Sequence, residues 1–138
     1  DKYYKPELPL NLTKYLLKFA NSSIDVSDGL IDDLSKMINR QSLSFHLFEN
    51  KIPVSNKLSN LIKKQRLNKI NLISNGDDYQ VLFTADIKKA RIIKKASKTT
   101  GIKITKIGKI ISGKDRSLIF DEKGKQIRAK SKGYIHQF

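Results

Sequence analysis

Cysteine is absent from this chain, which excludes disulfides and thiolate metal sites among its 138 residues. Methionine occurs once, at Met37, and tryptophan not at all. No apolar run approaches the roughly 18 residues a membrane-spanning helix needs, and Asp1 to Pro6 carry no apolar core of the kind a secretory leader has. The expectation is a cytoplasmic protein that uses no membrane. Acid is scarce, with 13 carboxylates against 28 basic side chains. Arginine is also scarce, since only Arg40, Arg66, Arg91, Arg116 and Arg128 carry the planar fork favoured for phosphates and base edges. The +15 formal charge is therefore read as a diffuse lysine surface, and nucleic acid is not the expected partner.

The length and a hydrophobic fraction of 38% suit one globular domain, residues 1–138, with a genuine core. There is no internal repeat and no low-complexity tract beyond the lysine background. The chain starts at Asp1, and Met37 falls inside a predicted helix, so a further N-terminal portion is expected to precede it.

Apolar spacing predicts a helix from about Leu12 to Ala20, then a short extended piece, Ser22 to Val26. Leu30, Ile31, Leu34, Met37 and Ile38 make one stripe of a second helix. Leu43, Phe45 and Leu47 alternate as in a half-buried strand, with His46 an ordinary residue on its face. Ser55 caps a helix carrying Leu58, Leu61 and Ile62, and Lys63, Lys64, Arg66 and Lys69 form a solvated connector. Tyr79 to Thr84 reads as a strand central in a sheet. Asp86 caps a helix closed by Gly101, and Lys103 to Ile111 is a strand in which Gly108 marks a bulge or bend. Asp121-Glu122-Lys123-Gly124 is the turn of a hairpin. About four helices and about five strands result, an α/β sandwich with a mixed sheet.

Two stretches carry chemistry. Ile24-Asp25-Val26-Ser27-Asp28-Gly29-Leu30 places two carboxylates and a hydroxyl where a strand meets a helix. Carboxylates there can hold Mg²⁺, and a helix start with unpaired N–H groups suits phosphate. Asp32 and Asp33 lie in the first helical turn, where the dipole favours acid, and are read as solvated rather than as ligands. Asp28 is also a possible N-cap, whereas Asp25 comes one turn too early to cap. The second stretch, Ser74-Asn75-Gly76-Asp77-Asp78, is a turn leading into the Tyr79–Thr84 strand.

Together, the IDVSDGL element of Ile24–Leu30 and the GDDYQVLFT element of Gly76–Thr84 resemble the C-terminal domain of thiamine-monophosphate kinases, within the aminoimidazole-ribonucleotide-synthetase superfamily. Tyr3 and Pro6, Ile52-Pro53-Val54-Ser55 and Gly133-Tyr134-Ile135-His136 agree in order and spacing, so the resemblance spans the chain. It implies ATP- and Mg²⁺-dependent phosphorylation of thiamine monophosphate to thiamine diphosphate, at a site shared with an N-terminal domain that also makes a homodimer. On that resemblance Asp25 and Asp28 bind Mg²⁺, Ser27 touches ATP, and Asp77, Asp78 and Tyr134 contact the thiamine substrate. No protein nucleophile is implied, and the fragment alone is expected to be inactive. Asn75 stands in place of a usual glycine and Ile135 in place of a usual aspartate. The competing readings are a basic nucleic-acid-binding domain and a stand-alone domain of the same superfamily that has lost its chemistry. The retained Asp25, Ser27 and Asp28 argue against the latter.

Overall fold

The computed structural model describes residues 10–39, 41–73 and 80–128. Its element order is α1 (Leu10–Phe19), β1 (Ala20–Val26), α2 (Leu30–Met37), β2 (Leu43–Phe48), α3 (Asn56–Gln65), α4 (Lys69–Ile73), β3 (Gln80–Ala85), α5 (Ala90–Thr100), β4 (Gly108–Ser112), β5 (Leu118–Phe120) and β6 (Gln126–Ile127). Short 3-10 turns at Glu49–Lys51 and Ile87–Lys89 precede α3 and α5. The expected mixed α/β architecture is present: four strands in the order β4-β2-β5-β6 form a sheet in which β2 and β5 run parallel, and β1 pairs with β3 in an antiparallel ribbon. No described helix is long and apolar enough to cross a membrane.

The ribbon separates two apolar clusters because successive strand residues face opposite ways. Leu82 packs toward the larger cluster, in which Leu30, Ile31 and Leu34 of α2 and Ile38 just past its end meet Phe45 and Leu47 of β2, Ile70, Ile73 and Ile119. Phe83 packs toward the smaller one, where α1 contributes Leu12 and Phe19 and α5 contributes Ala96. Its ring lies 5.3 Å from that of Phe19, within the range of favourable aromatic pairs. The expected apolar stripe of α2 thus buries against the four-stranded sheet and fixes that helix over its floor.

Local signals account for most element boundaries. The Ser55 hydroxyl accepts from Leu58 N at 3.2 Å and starts α3, whereas the Asp86 carboxylate accepts from Lys88 N at 2.8 Å and caps the 3-10 turn Ile87–Lys89, so that α5 itself has no side-chain cap. Gly101 ends α5 in the left-handed region, with φ 70°. In the β5–β6 hairpin the Asp121 carboxylate accepts from Lys123 N and Lys125 N, and Gly124 takes φ 76°. His46 is half-buried and edge-on to Phe120 at 5.3 Å, the strand-face role expected of it.

Four expectations need correction. Ala20 opens β1 rather than closing α1, since the ribbon claims its backbone opposite Ala85. Among the described residues β3 pairs with β1 alone, so it is a half-buried ribbon strand and not a central one. The Lys103–Ile111 strand is regular only from Gly108, and Gly108 is a point of close approach: a Cβ there would lie 2.3 Å from the His46 carbonyl oxygen.

The fourth correction concerns Lys69, which opens the unforeseen helix α4. It is half-buried, and its ammonium donates to the carbonyls of Glu49 and Ile52 at 2.8 and 2.7 Å. Those carbonyls belong to the turn between β2 and α3. Burial lowers the Lys69 pKa, partly offset by the nearby Glu49 carboxylate. Lys69→Met should destabilise the protein by about 1.5–3 kcal/mol, the scale for hydrogen bonds from a charged donor. The sign of its pH dependence follows from the lowered pKa. Between that value and the ordinary 10.5 the unfolded chain holds the proton more fully, so Lys69 makes stability rise with pH across that window. Urea midpoints measured up to pH 10.5 should show this alkaline gain in the wild type and lose it in the variant.

Candidate active site

The β1 strand ends at Val26, and the next three residues turn the chain into α2. Gly29 makes the turn: it is buried, with φ 121° and ψ 147°, a conformation that residues with a Cβ rarely adopt. Gly29 is the helix N-cap and has no side-chain cap, so Asp28 does not cap α2. The helix instead starts with Asp33 N donating to Gly29 O at 3.0 Å.

Asp33 is the largest departure from expectation. Predicted to be solvated, it is only 2% exposed. One of its oxygens, Oδ2, accepts from the backbone N–H groups of Ser27 and Asp28, at 2.8 and 3.0 Å. The carboxylate therefore reaches back from the first turn of the helix and fastens the turn that precedes it. A buried carboxylate is tolerable only with such partners. The N–H groups of Ser27 and Asp28 are thus spent on Asp33 and not on a phosphate. Any phosphate contact by Ser27 then falls to its hydroxyl, on an exposed residue.

Oxygens of Asp28, Asp32 and Asp33 all lie within 4.8 Å of one another. The Lys36 ammonium faces them, paired with Asp28, with Asp32 at 2.7 Å and with Asp33 Oδ1 at 3.2 Å. Asp32 and Asp33 stand four and three residues before Lys36, a helical spacing visible in the sequence and the signal that would have found this lysine. Its pKa is raised above the usual lysine range, chiefly by the bond to Asp28 and then by that to Asp32, against some desolvation. Its side chain is 45% exposed, and ion pairs this wet are worth about 0–1 kcal/mol each, so a divalent cation can replace it at modest cost.

Of the residues singled out beforehand, the structure brings Asp28 into this cluster together with Asp32 and Asp33. Asp25 is not one of the group. It is exposed on β1, opposite Val81, on the strand face that Ile24 and Val26 do not use. Ser27 is exposed at the turn. Asp77, Asp78 and Tyr134 lie outside the described residues, as do Asn75 and Ile135. The strand following the second motif nonetheless meets the first: Gln80 stands opposite Val26 and Val81 opposite Asp25. A groove lined by Tyr15, Lys18, Ile92, Lys95, Ala96 and Thr99 opens between α1 and α5 and contains no motif residue.

No protein-family model matches the chain. A thiamine-monophosphate kinase of Buchnera aphidicola subsp. Acyrthosiphon pisum is 36% identical over 122 residues, which is 88% of this chain and 37% of that protein. Among solved structures, AaThiL complexed with AMPPCP and TMP superposes with a TM-score of 0.71 at 27% identity, over 99% of this chain and 40% of that one. The thiamine monophosphate kinase of Aquifex aeolicus gives a TM-score of 0.65 at 26% identity, over 91% of this chain and 39% of that one. The chain thus spans about two fifths of the length of the relatives it matches.

Proposed function

We infer that this chain, which belongs to the thiamine-monophosphate kinase family, is the C-terminal part of an enzyme that transfers the γ-phosphoryl group of ATP to thiamine monophosphate. The observation that carries this reading is the Ser27–Asp28 turn, fastened from below by a buried aspartate and opening onto a cluster of carboxylates. Hard oxygen donors a few ångströms apart, already attracting an ammonium, suit Mg²⁺. The solved relative complexed with AMPPCP and TMP supports both an ATP analogue and a thiamine phosphate as ligands of this fold.

In the reaction a substrate phosphate oxygen attacks the γ-phosphorus in line and ADP leaves. Asp28, with Asp32 beside it, would hold Mg²⁺, which when bound neutralises charge shared between the phosphates, and Asp25, which stands on β1 outside that cluster, is a further ligand on the family resemblance alone. Ser27 presents its hydroxyl to the ATP phosphates from a backbone that Asp33 prevents from drifting. Lys36 balances the carboxylates until the nucleotide arrives. On the family resemblance, Asp77, Asp78 and Tyr134 would contact the thiamine substrate. The attacking group is a phosphate of the substrate, so no protein nucleophile takes part and positioning carries the catalysis. The remainder of the site belongs to an N-terminal domain that also forms a homodimer, in the cytoplasm, and the C-terminal domain by itself does not turn over.

The test is ADP release by the complete protein with Mg²⁺–ATP, with and without thiamine monophosphate. ADP formation that depends on thiamine monophosphate is the expected result. A folded complete protein that forms no ADP under these conditions would leave the inactive-domain reading in its place.

A further inference from the structure

We propose that Asp33 is a positioning residue for phosphoryl transfer, holding Ser27 and Asp28 in register through their backbone N–H groups without itself binding substrate or metal. The inference rests on the kinase reading for its kinetic consequence and on geometry alone for its structural one.

The reasoning starts from acceptor capacity. A carboxylate offers two oxygens with about four lone-pair directions. Oδ2 of Asp33 takes two N–H groups at 2.8 and 3.0 Å, and Oδ1 takes the Lys36 ammonium at 3.2 Å. At 2% exposure little solvent reaches what is left. Asp28 and Asp32 are partly exposed, at 29% and 34%, and share the exposed Lys36 ammonium as a partner. Proximity within one cluster therefore hides a division of labour, in which one carboxylate is spent inward on the turn and two face outward.

The turn needs such an anchor. Gly29 contributes no side chain to brace it, and its φ of 121° is a conformation that a flexible residue leaves easily. Fixing Ser27 N and Asp28 N to a group rooted in α2 ties the hydroxyl and the outward carboxylate to the helix, which is itself packed on the sheet by Leu30, Ile31 and Leu34. Groups held this way need no reorganisation when the phosphates arrive, and small misplacements of such groups are costly in rate.

The experiment is amide hydrogen exchange of the complete protein by NMR, run beside steady-state kinetics. In the wild type, Ser27 and Asp28 amides should exchange at least about tenfold more slowly than a solvated turn allows; fast exchange of both overturns the proposal with no variant needed. Asp33→Asn keeps the shape and removes the charge, replacing charge-assisted bonds by weaker ones. It should lose that protection and lower kcat by about 10–100-fold while KM for thiamine monophosphate changes less than about threefold. Lys36→Met should leave the protection in place, since it touches neither N–H bond. Protection unchanged in Asp33→Asn, or protection lost with kcat kept, overturns the positioning role. A wild type that protects both amides but forms no ADP instead defeats the kinase reading and leaves the anchor standing.

Discussion

Asp28→Asn should abolish most phosphoryl transfer by the complete protein while leaving its stability nearly untouched. Asparagine matches aspartate in shape, so Gly29 and the start of α2 meet no new contact. The lost ionic partner is Lys36, which is 45% exposed and keeps Asp32 at 2.7 Å. A wet pair of this kind contributes about 0–1 kcal/mol, and the urea midpoint should move little. The catalytic loss is of another order. With Asp28 holding Mg²⁺ as proposed, its carboxylate would support several kcal/mol of charge neutralisation between phosphates, so kcat/KM should fall by at least about a hundredfold. A rising Mg²⁺ requirement should accompany the fall. Turnover at the wild-type level across a Mg²⁺ titration would remove Asp28 from the metal site, and a large drop in midpoint would make its role structural.

Much of the scaffold around that residue is legible in the chain because it depends on neighbours in sequence. The alternation of Leu43, Phe45 and Leu47 makes β2, the Ser55 hydroxyl starts α3, and Asp121 with Gly124 closes a hairpin, each through contacts a few residues long. What sequence does not expose is distance along the chain. Strand β2 lies between β4 and β5, partners some sixty or seventy residues away, and pairs parallel with the second of them. The same holds for the site. A periodicity rule places Asp33 beside Asp32 as two acids in a first helical turn, favourable to the dipole and solvated. It cannot see that Gly29 swings the preceding turn back over the helix and buries one of the two, leaving the other half-exposed. Lys69 is hidden for the same reason, since the carbonyls it satisfies at Glu49 and Ile52 come from another turn. The motif names Asp25 and Asp28 together, whereas the fold sets one on a strand face and the other in a carboxylate cluster around Lys36. Mutating each separately is therefore more informative than mutating both.

Gly108→Val should do the reverse of Asp28→Asn, destabilising the fold without touching a motif residue. A Cβ at Gly108 would lie 2.3 Å from the His46 carbonyl oxygen and 3.1 Å from Leu47 Cδ2. The first obstacle is backbone, so no rotamer change relieves it. Strand β4 must move away from β2, straining the ladder from Leu47–Gly108 through Leu43–Ser112 and the Phe48 N to Ile107 O bond of 2.9 Å. Overpacking of this kind costs about 1–3 kcal/mol, and valine, branched at Cβ, should reach the upper end. Leu47 and Phe45 on β2 form the floor beneath α2, so the strain reaches the helix that carries Asp33. The discriminating control is Leu47→Ala in the same background. It clears the side-chain contact at 3.1 Å but leaves the carbonyl where it is, so it should add a cavity loss of about 2–5 kcal/mol and rescue nothing. If Gly108→Val melts like the wild type, β4 is not held against β2 as closely as the structure has it. If it melts early, β4 is held against β2 as closely as the contact at Gly108 requires.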